Sequence, residues 1–416
     1  MKIYLQTYGC TANKADASLM KGILKENKHE IVSNIDKSEI IIVLTCTVID
    51  TTEQKILSYL KKIKEKNKKI IVAGCMASVQ QDKIKKILPD TVFLPPRYSH
   101  HINDIVEGKN VIFKEENKTS FTKHFDSITA PISISEGCMF SCSYCITSLA
   151  RGKLKSFPTS EIKKDICLAV NRGCKEIQIT SQDTSSYGFD IGKDLGVLLR
   201  SIVEIEGDYR IRVGMMNPYT CMKKIDSIIS GYENDKIYKF LHLPVQSGDN
   251  LILEKMNRKY TVEEFENIIN RFRDNFPNIT VSTDIIVGFP SETDDQFHNT
   301  ITLLKKIKPD ITNITRFSPR PYTAAKKMKN RISTEIMKQR SKILTELCYN
   351  ISLEKNREHI GKKYDILITE KGKNNTFVGR SRNYKPVVIK DKVEIGEIIP
   401  VEIVDAKQNY LVGSII

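Results

Sequence analysis

Three closely spaced cysteines carry the strongest chemical signal in the chain. Cys138, Cys142 and Cys145 form a C-x-x-x-C-x-x-C loop within EGCMFSCSYC. A four-iron cluster normally takes four cysteine thiolates, so a loop that supplies three leaves one iron open to another ligand. A zinc site would more often use two C-x-x-C pairs or add histidines. The spacing therefore predicts a four-iron cluster, with zinc or structural thiols as the alternatives.

Three further cysteines occupy equivalent positions in the first third of the chain. Cys10, Cys46 and Cys75 each follow a short apolar run, in TYGC, LTC and VAGC. In an open parallel sheet, the loops beyond the carboxyl ends of the strands converge on one edge, where ligands bind. The three thiols are therefore expected to meet at a second metal site, although any one alone would more often be a buried thiol. The other cysteines are interpreted as ordinary buried thiols: Cys167, Cys174, Cys221 and Cys348.

The elements that position the second group of cysteines alternate between strands and helices. Apolar residues recur at helical spacing over 15–26 and 53–66. Short β-type runs flank these helices, at 2–7, 40–45, 69–74, 91–94 and 110–113. Strands that alternate with helices of this length predict a doubly wound parallel sheet. We assign residues 1–115 to this N-terminal α/β domain.

The C-x-x-x-C-x-x-C loop directly follows the first of six further strand-like runs. These runs are predicted at 132–135, 176–180, 210–214, 239–243, 280–287 and 310–315. Helical patterns lie between them, at 159–171, 193–204, 262–275 and 294–307. Six βα units without a seventh or eighth predict an incomplete (βα)6 barrel over residues 130–355. Its active site is expected at the carboxyl ends of the strands.

The last part of the chain, residues 357–416, reads as a separate small unit. Five short strands with glycine and asparagine turns are predicted, at 363–369, 376–380, 387–389, 398–404 and 410–415. Strands of this number and length suit a small closed β-barrel, similar in size to an OB-fold. Such a unit is expected either to bind nucleic acid or to act as a structural cap.

Composition limits the classes of function. The chain has 416 residues and a formal net charge of +15, with 28% charged and 40% hydrophobic residues. The longest aliphatic run, 40–44, is too short to span a bilayer, and no secretory signal is evident. We therefore expect neither secretion nor membrane insertion.

Residues 54–70 carry a local net charge of +6 and residues 316–356 one of +7. Clustered charge of this kind favours a polyanionic partner over a merely solvated helix face.

Several other motifs accompany the cysteines. They are SQDT at 181–184, RVGMMNP at 212–218, HLPVQSG at 242–248, TDIIVGFPSET at 283–293 and SPRPYT at 318–323. Together the motifs resemble those of the radical S-adenosylmethionine methylthiotransferases, over essentially the whole chain. NKADASLMKG, TEQKIL and YCITSLARGKLKSFP resemble the archaeal and eukaryotic branch, which acts on N6-threonylcarbamoyladenosine in tRNA. In that family the terminal barrel is a TRAM domain, which binds RNA. One departure is Tyr322, where relatives usually have glycine.

The resemblance implies two clusters with different tasks. The cluster on Cys138, Cys142 and Cys145 would bind S-adenosylmethionine through its open iron and cleave it after one-electron reduction. The cluster on the other three cysteines would hold a sulfur atom that a second S-adenosylmethionine methylates. Polar residues at the strand ends are the candidate S-adenosylmethionine ligands: Ser181, Gln182, Asp183, Arg212, Gln246 and Asp284. Helix capping is the alternative role for each.

The resemblance also implies a substrate with a carboxylate, because the threonylcarbamoyl group carries one. Arg151 and Arg320 are the candidate partners, since a guanidinium matches a planar carboxylate. The alternatives are that Arg151 braces the cluster loop and that Arg320 contacts phosphate. An adenosine in the anticodon loop is single-stranded, so its base can enter a pocket at little cost.

Other functions remain open. Within the family, the substrate would instead be isopentenyladenosine in tRNA or an aspartate of a ribosomal protein. In a different class, the chain would be a non-catalytic iron–sulfur protein that binds tRNA or senses redox state. The family reaction implies an electron donor protein as a second partner beside tRNA, and a cytoplasmic location without membrane association.

Overall fold

The computed structural model describes residues 1–416, and its first part is a five-stranded parallel sheet in the order β2-β1-β3-β4-β5. The strands are β1 (Lys2–Thr7), β2 (Glu30–Ile31), β3 (Ile40–Thr45), β4 (Lys69–Gly74) and β5 (Val92–Leu94). The helices are α1 (Thr11–Glu26), α2 (Asp50–Lys64), α3 (Cys75–Val79), α4 (Gln81–Lys85) and α5 (Ile102–Val106). Every residue of β3 is buried. A central parallel strand is covered on both faces, which explains its unbroken apolar run.

The sequence prediction was wrong in one element of this sheet and missed another. Residues 110–113 were predicted as a strand, but they form no regular structure. Phe113 there stacks on Tyr98, with ring centroids 4.9 Å apart. The apolar run therefore covers a neighbouring aromatic ring rather than extending the sheet. The two-residue strand β2 was missed because so short a segment carries no periodicity.

The central part is a curved parallel sheet of six strands with helices on its outside. Its strands are β6 (Thr129–Ser133), β9 (Glu176–Thr180), β10 (Arg210–Val213), β11 (Phe240–His242), β12 (Thr280–Val287) and β13 (Ile311–Arg316), and a small hairpin adds β7 (Ser135–Glu136) and β8 (Lys155–Ser156). Regular pairing lapses between β10 and β11, where one bridge from Ile211 to Ile237 joins the two three-stranded halves. The predicted incomplete barrel is confirmed.

Six of the nine helices around this barrel are capped at their N-terminus by the side chain of the preceding residue. They are α6 (Thr147–Arg151), α7 (Thr159–Asn171), α8 (Leu195–Ile202), α9 (Pro218–Lys223), α10 (Ile225–Tyr232), α11 (Asn250–Lys255), α12 (Val262–Asn275), α13 (Asp294–Ile307) and α14 (Thr334–Arg357). Thr261 and Thr293 form capping boxes with Glu264 and Gln296. None of the helices combines the length and the apolar composition needed to cross a bilayer.

The C-terminal part is a closed five-stranded barrel, as predicted. Its strands run in the order β14-β15-β16-β18-β17. They are β14 (Lys363–Lys371), β15 (Phe377–Arg380), β16 (Pro386–Ile389), β17 (Ile398–Ala406) and β18 (Leu411–Ile415). A small apolar core fills the barrel, with Ile366, Ile368 and Ile403 at its centre. Closure leaves no unpaired strand edge.

The turn after β13 contains a tyrosine in an unfavourable backbone conformation. Tyr322 has φ +63° and its side chain is 69% exposed. A left-handed conformation costs a residue with a Cβ roughly 1–2 kcal/mol, whereas glycine adopts it freely. The exposed ring offsets little of this cost through burial.

We expect Tyr322→Gly to stabilise the protein, because the left-handed strain disappears. The gain should be about 0.5–1 kcal/mol in the free energy of unfolding, after the larger unfolded-state entropy of glycine is subtracted. Urea titration of the metal-free protein measures it. Tyr322→Ala is the matched control, since it removes the ring and keeps the Cβ, and it should give no comparable gain. A loss of stability in the glycine variant would contradict this account.

Candidate active site

The first three cysteines lie at the carboxyl edge of the N-terminal sheet. Cys10 immediately precedes α1, Cys46 follows β3, and Cys75 is the first residue of α3, directly after β4. Gly9 has φ +104°, and a Cβ on it would lie 2.6 Å from the Cβ of Cys46. Only glycine therefore allows the Cys10 loop to approach Cys46 so closely. The parallel topology thus brings together three thiols that are distant in sequence.

Hydrogen bonds hold this edge in shape. The side-chain amide of Asn13 donates to the carbonyl oxygens of Tyr8 at 2.7 Å and Thr45 at 2.9 Å. The hydroxyl of Thr45 donates to the carbonyl oxygen of Ala73 at 2.6 Å and accepts from the backbone N–H of Met76 at 3.2 Å. The three cysteine loops are therefore tied to one another through short polar side chains.

The other three cysteines lie on the loop between β7 and α6. The backbone N–H of Cys138 donates to the carbonyl oxygen of Gly152 at 3.0 Å, and that of Cys145 donates to Cys142 at 3.0 Å. The guanidinium of Arg258 donates to the Sγ atom of Cys142 at 3.4 Å. Hydrogen bonds within the loop therefore fix its conformation, and Arg258 anchors it to the barrel. The sequence patterns gave no sign of this role for Arg258.

All six cysteines line one cavity of about 1340 Å³. A site for one drug-sized ligand has a volume of roughly 300–1,000 Å³. This cavity is larger, so it has room for more than one bound group. It extends from the edge of the N-terminal sheet across the carboxyl ends of the barrel strands.

The buried thiols become thiolates only when a positively charged group binds to them. Burial raises the pKa of Cys75 and of Cys138 to about 12, and it also raises the pKa of Cys46 and Cys145. Metal ligands must be thiolates, so a bound cation has to supply the charge that displaces these protons.

No three His, Cys, Asp or Glu side chains are arranged to hold a metal ion. A single zinc ion needs sulfur atoms about 2.3 Å away, whereas a four-iron cluster spreads its ligands further apart. Each triad supplies three thiols, the number that leaves one iron of a four-iron cluster open.

The six predicted S-adenosylmethionine ligands all line this cavity: Ser181, Gln182, Asp183, Arg212, Gln246 and Asp284. Two of them have local structural tasks as well. The side-chain oxygen of Gln182 accepts from the backbone N–H of Gly137 at 2.7 Å, next to the cluster loop. Both carboxylate oxygens of Asp183 accept hydrogen bonds, from the backbone N–H of Asn217 and the hydroxyl of Thr220 among others. The structure brings these residues together, and their cofactor roles stay predictions.

His242, to which the sequence patterns gave no role, is a partner of Asp284. The Nε2 atom of His242 lies 3.0 Å from Asp284, and the side-chain amide of Asn313 donates to the same oxygen at 2.8 Å. These three residues lie on adjacent strands, β11, β12 and β13, and all three line the cavity. The only sequence signal for His242 is its position at the start of HLPVQSG.

Arg151 is buried against carboxylates from two parts of the fold. Its Nη2 atom donates to Asp16 at 2.7 Å and to the side-chain oxygen of Asn13 at 2.8 Å, both on α1. Its Nη1 atom lies 3.2 Å from Glu136, beside the cluster loop. Burial alone would raise the pKa of Asp16, but Arg151 and Lys118 hold it below its ordinary value. These contacts favour the brace of the cluster loop over the substrate contact that we predicted.

Arg320 is likewise engaged within the protein. Its guanidinium pairs with the fully buried carboxylate of Glu53 and lies 3.4 Å from the hydroxyl of Thr47 and 3.6 Å from Asp50. These partners follow Cys46 in the chain, so Arg320 joins the end of the barrel to the N-terminal cysteine loop. Neither arginine presents a free guanidinium to a substrate. Their assignment to the substrate carboxylate stays a prediction, and the contacts weigh against it.

Family models match three parts of the chain. Residues 2–94 match the family described as "Uncharacterized protein family UPF0004", residues 132–304 the radical SAM superfamily, and residues 357–416 the TRAM domain. A solved structure of the radical S-adenosylmethionine methyltransferase TsrM from Kitasatospora setae is similar in fold. It has a TM-score of 0.57 and 13% identity, covering 78% of this chain and 75% of that one.

Curated relatives match over the full length. A "probable threonylcarbamoyladenosine tRNA methylthiotransferase" from Archaeoglobus fulgidus is 41% identical, covering 100% of this chain and 99% of the relative. A "tRNA-2-methylthio-N(6)-dimethylallyladenosine synthase" from Thermodesulfovibrio yellowstonii is 35% identical over 100% and 98%. The chain belongs to the radical SAM methylthiotransferases, within the family of threonylcarbamoyladenosine tRNA methylthiotransferases.

Proposed function

We propose that this protein is an enzyme that adds a methylthio group to C2 of N6-threonylcarbamoyladenosine, beside the anticodon of tRNA. The observation that carries the proposal is the single cavity lined by both cysteine triads. When bound, one four-iron cluster would supply the one-electron chemistry that cleaves S-adenosylmethionine, and the other would hold the sulfur atom that is methylated and transferred. The protein binds these groups and the substrate in this one cavity.

The chain divides its work among three domains, 1–115, 130–355 and 357–416. Cys10, Cys46 and Cys75 of the first domain hold the auxiliary cluster. Cys138, Cys142 and Cys145 of the second hold the cluster that binds S-adenosylmethionine. Polar residues at the strand ends, Ser181 and Gln246 among them, would orient the S-adenosylmethionine. The third domain binds RNA.

The two triads must keep a fixed relation, because the substrate carbon has to lie within reach of both. Arg151 supplies this constraint through its contacts to α1 and to Glu136. Lys118 reinforces it, since its Nζ atom lies 3.1 Å from Asp16 and 2.9 Å from Glu136. Both bridges are buried, so solvent does not screen them.

The partners follow from charge and chemistry. The basic segments at 54–70, largely on α2, and 316–356, largely on α14, are suited to RNA phosphates, and the TRAM domain adds a second RNA contact. Reductive cleavage needs electrons, so an electron donor protein is the second partner. Because the substrate is tRNA, we place the enzyme in the cytoplasm, without membrane association.

The cluster ligands can be tested by iron content. Reconstituted without oxygen, the wild type should hold about eight irons, because each cluster contains four. Alanine at Cys138, Cys142 and Cys145 should leave about four and abolish S-adenosylmethionine cleavage, by the same cluster logic. Alanine at Cys10, Cys46 and Cys75 should also leave about four but permit uncoupled cleavage.

A third variant controls for general damage by cysteine loss. Alanine at Cys167, Cys174 and Cys221 removes three thiols outside the two triads, and it should keep the full iron load. If either triad variant retained all of its iron, the ligand assignment would be wrong.

The substrate can be tested with two tRNA pools, one bearing threonylcarbamoyladenosine and one bearing isopentenyladenosine. A site built for a carboxylate leaves buried polar groups unpaired against an isopentenyl group, at about 1–3 kcal/mol each. We expect the methylthio mass increment on the first pool alone, measured by nucleoside mass spectrometry. An increment on isopentenyladenosine alone would show the substrate of the Thermodesulfovibrio relative instead.

A further inference from the structure

The cavity is lined by seven basic side chains, and five of them already have a polar side-chain partner. Arg151, Arg320, Lys385 and His242 face carboxylates, and Arg258 donates to the thiol of Cys142. The two others are Arg316 and Arg212. Arg316 lies exposed at the end of β13, where water solvates it. Arg212 is therefore the one half-buried cation of the cavity that has no hydrogen-bond or ion-pair partner.

Two aromatic rings hold Arg212 in place. Its side chain projects from β10 into the barrel, and its Cζ atom lies 5.2 Å from the ring centroid of Phe240 and 5.7 Å from that of Tyr384. The guanidinium forms no hydrogen bond or ion pair in the structure. Contact with a ring uses the flat face of a guanidinium and leaves its N–H edges free. Those edges match a planar carboxylate with two parallel hydrogen bonds.

One of these rings comes from the C-terminal domain. Tyr384 lies between β15 and β16, and its loop reaches into the barrel from the end opposite the cluster loop. The ring of Tyr384 lies 5.0 Å from Phe240, and its hydroxyl donates to the carboxylate of Glu176 at 3.1 Å. The side-chain amide of Gln178 donates to the same hydroxyl at 3.3 Å. Tyr384 therefore forms part of the barrel floor.

The loop is fixed against the barrel on both sides of Tyr384. The backbone N–H of Lys239 donates to the carbonyl oxygen of Arg382 at 2.9 Å. The buried Nζ atom of Lys385 donates to Asp310 at 2.6 Å and to Asn356 at 2.8 Å. Tyr384 itself has φ +63°. A tyrosine persists in this costly conformation only where its surroundings impose it.

We propose that Arg212 binds a carboxylate in the cavity and that Tyr384 of the TRAM domain is the residue that positions it. The inference rests on the proposed function, which supplies two carboxylates: that of the methionine part of S-adenosylmethionine and that of the threonylcarbamoyl group. The C-terminal domain then contributes to the catalytic cavity as well as to RNA binding. Its deletion would remove part of the barrel floor, so point variants are the proper test.

The test compares Tyr384→Leu with Tyr384→Phe in the full-length, reconstituted protein. Both keep a Cβ, so both carry the same backbone cost, and only leucine removes the ring. Two binding quantities are measured without turnover. One is the dissociation constant for S-adenosylmethionine, and the other is the ratio of the affinity for tRNA that bears the threonylcarbamoyl group to the affinity for tRNA that lacks it. Tyr410→Leu removes a tyrosine of the same domain outside the cavity and serves as the control.

We expect Tyr384→Leu to change one of these two quantities by about three- to thirtyfold, the range between partly exposed and desolvated cation–π contacts. Tyr384→Phe and Tyr410→Leu should stay within about twofold of the wild type, because the ring over Arg212 is retained. Weaker S-adenosylmethionine binding identifies the cofactor carboxylate, and a lower tRNA ratio identifies the substrate carboxylate. If both quantities are unchanged in Tyr384→Leu, or if Tyr384→Phe is as defective, the proposal is overturned.

Two further features keep the result interpretable. If Tyr384→Leu fails to fold, Tyr384→Asn replaces it, because asparagine tolerates the left-handed conformation and also lacks the ring. Both measurements are equilibria without turnover. A wild type that bound S-adenosylmethionine but modified no tRNA would therefore refute the proposed function and leave the cofactor arm of this test intact.

Discussion

A buried ion-pair network between the N-terminal sheet and the barrel is the interaction on which the site depends. Arg151 and Lys118 both contact Asp16 of α1 and Glu136 of β7, the strand that precedes the cluster loop. Two cations thus neutralise two carboxylates in a region closed to water. Removing one member of a buried pair leaves an unpaired charge and typically costs about 3–5 kcal/mol. The network therefore favours one relative placement of the two cysteine triads.

Neighbouring contacts extend this constraint. The hydroxyl of Ser78 on α3 donates to the carbonyl oxygen of Ala150 on α6 at 3.1 Å, so the helices that follow Cys75 and Cys145 touch directly. Arg97 donates to the carbonyl oxygens of Arg151 and Lys153. On the far side, Arg320 in the turn after β13 pairs with Glu53 of α2. The cavity between the triads is thus closed from several directions by side chains whose charges are already satisfied.

Local periodicity and parallel topology were enough to predict most of the fold. They also predicted that the three N-terminal cysteines lie together at one edge of the sheet. Helices such as Val262–Asn275 carry their own caps and apolar faces, and three thiols after three parallel strands must converge. The roles of Arg151 and Arg320 could not be inferred in this way. Their partners lie 135 and 267 residues away in the chain, and nothing near either arginine indicates them. For the same reason Tyr384, in a loop without periodicity, gave no sign that it faces Arg212.

Because both cysteine triads line one cavity, the two clusters are expected to lie close together at a fixed separation. Electron paramagnetic resonance of the dithionite-reduced holoenzyme tests this claim most directly, because two nearby paramagnetic clusters broaden each other's signals and speed each other's relaxation. The comparison is between the wild-type spectrum and the sum of the spectra from two variants that each lack one cysteine triad. We predict that the wild-type spectrum is broader and relaxes faster than that sum. A wild-type spectrum equal to the sum would contradict the shared cavity.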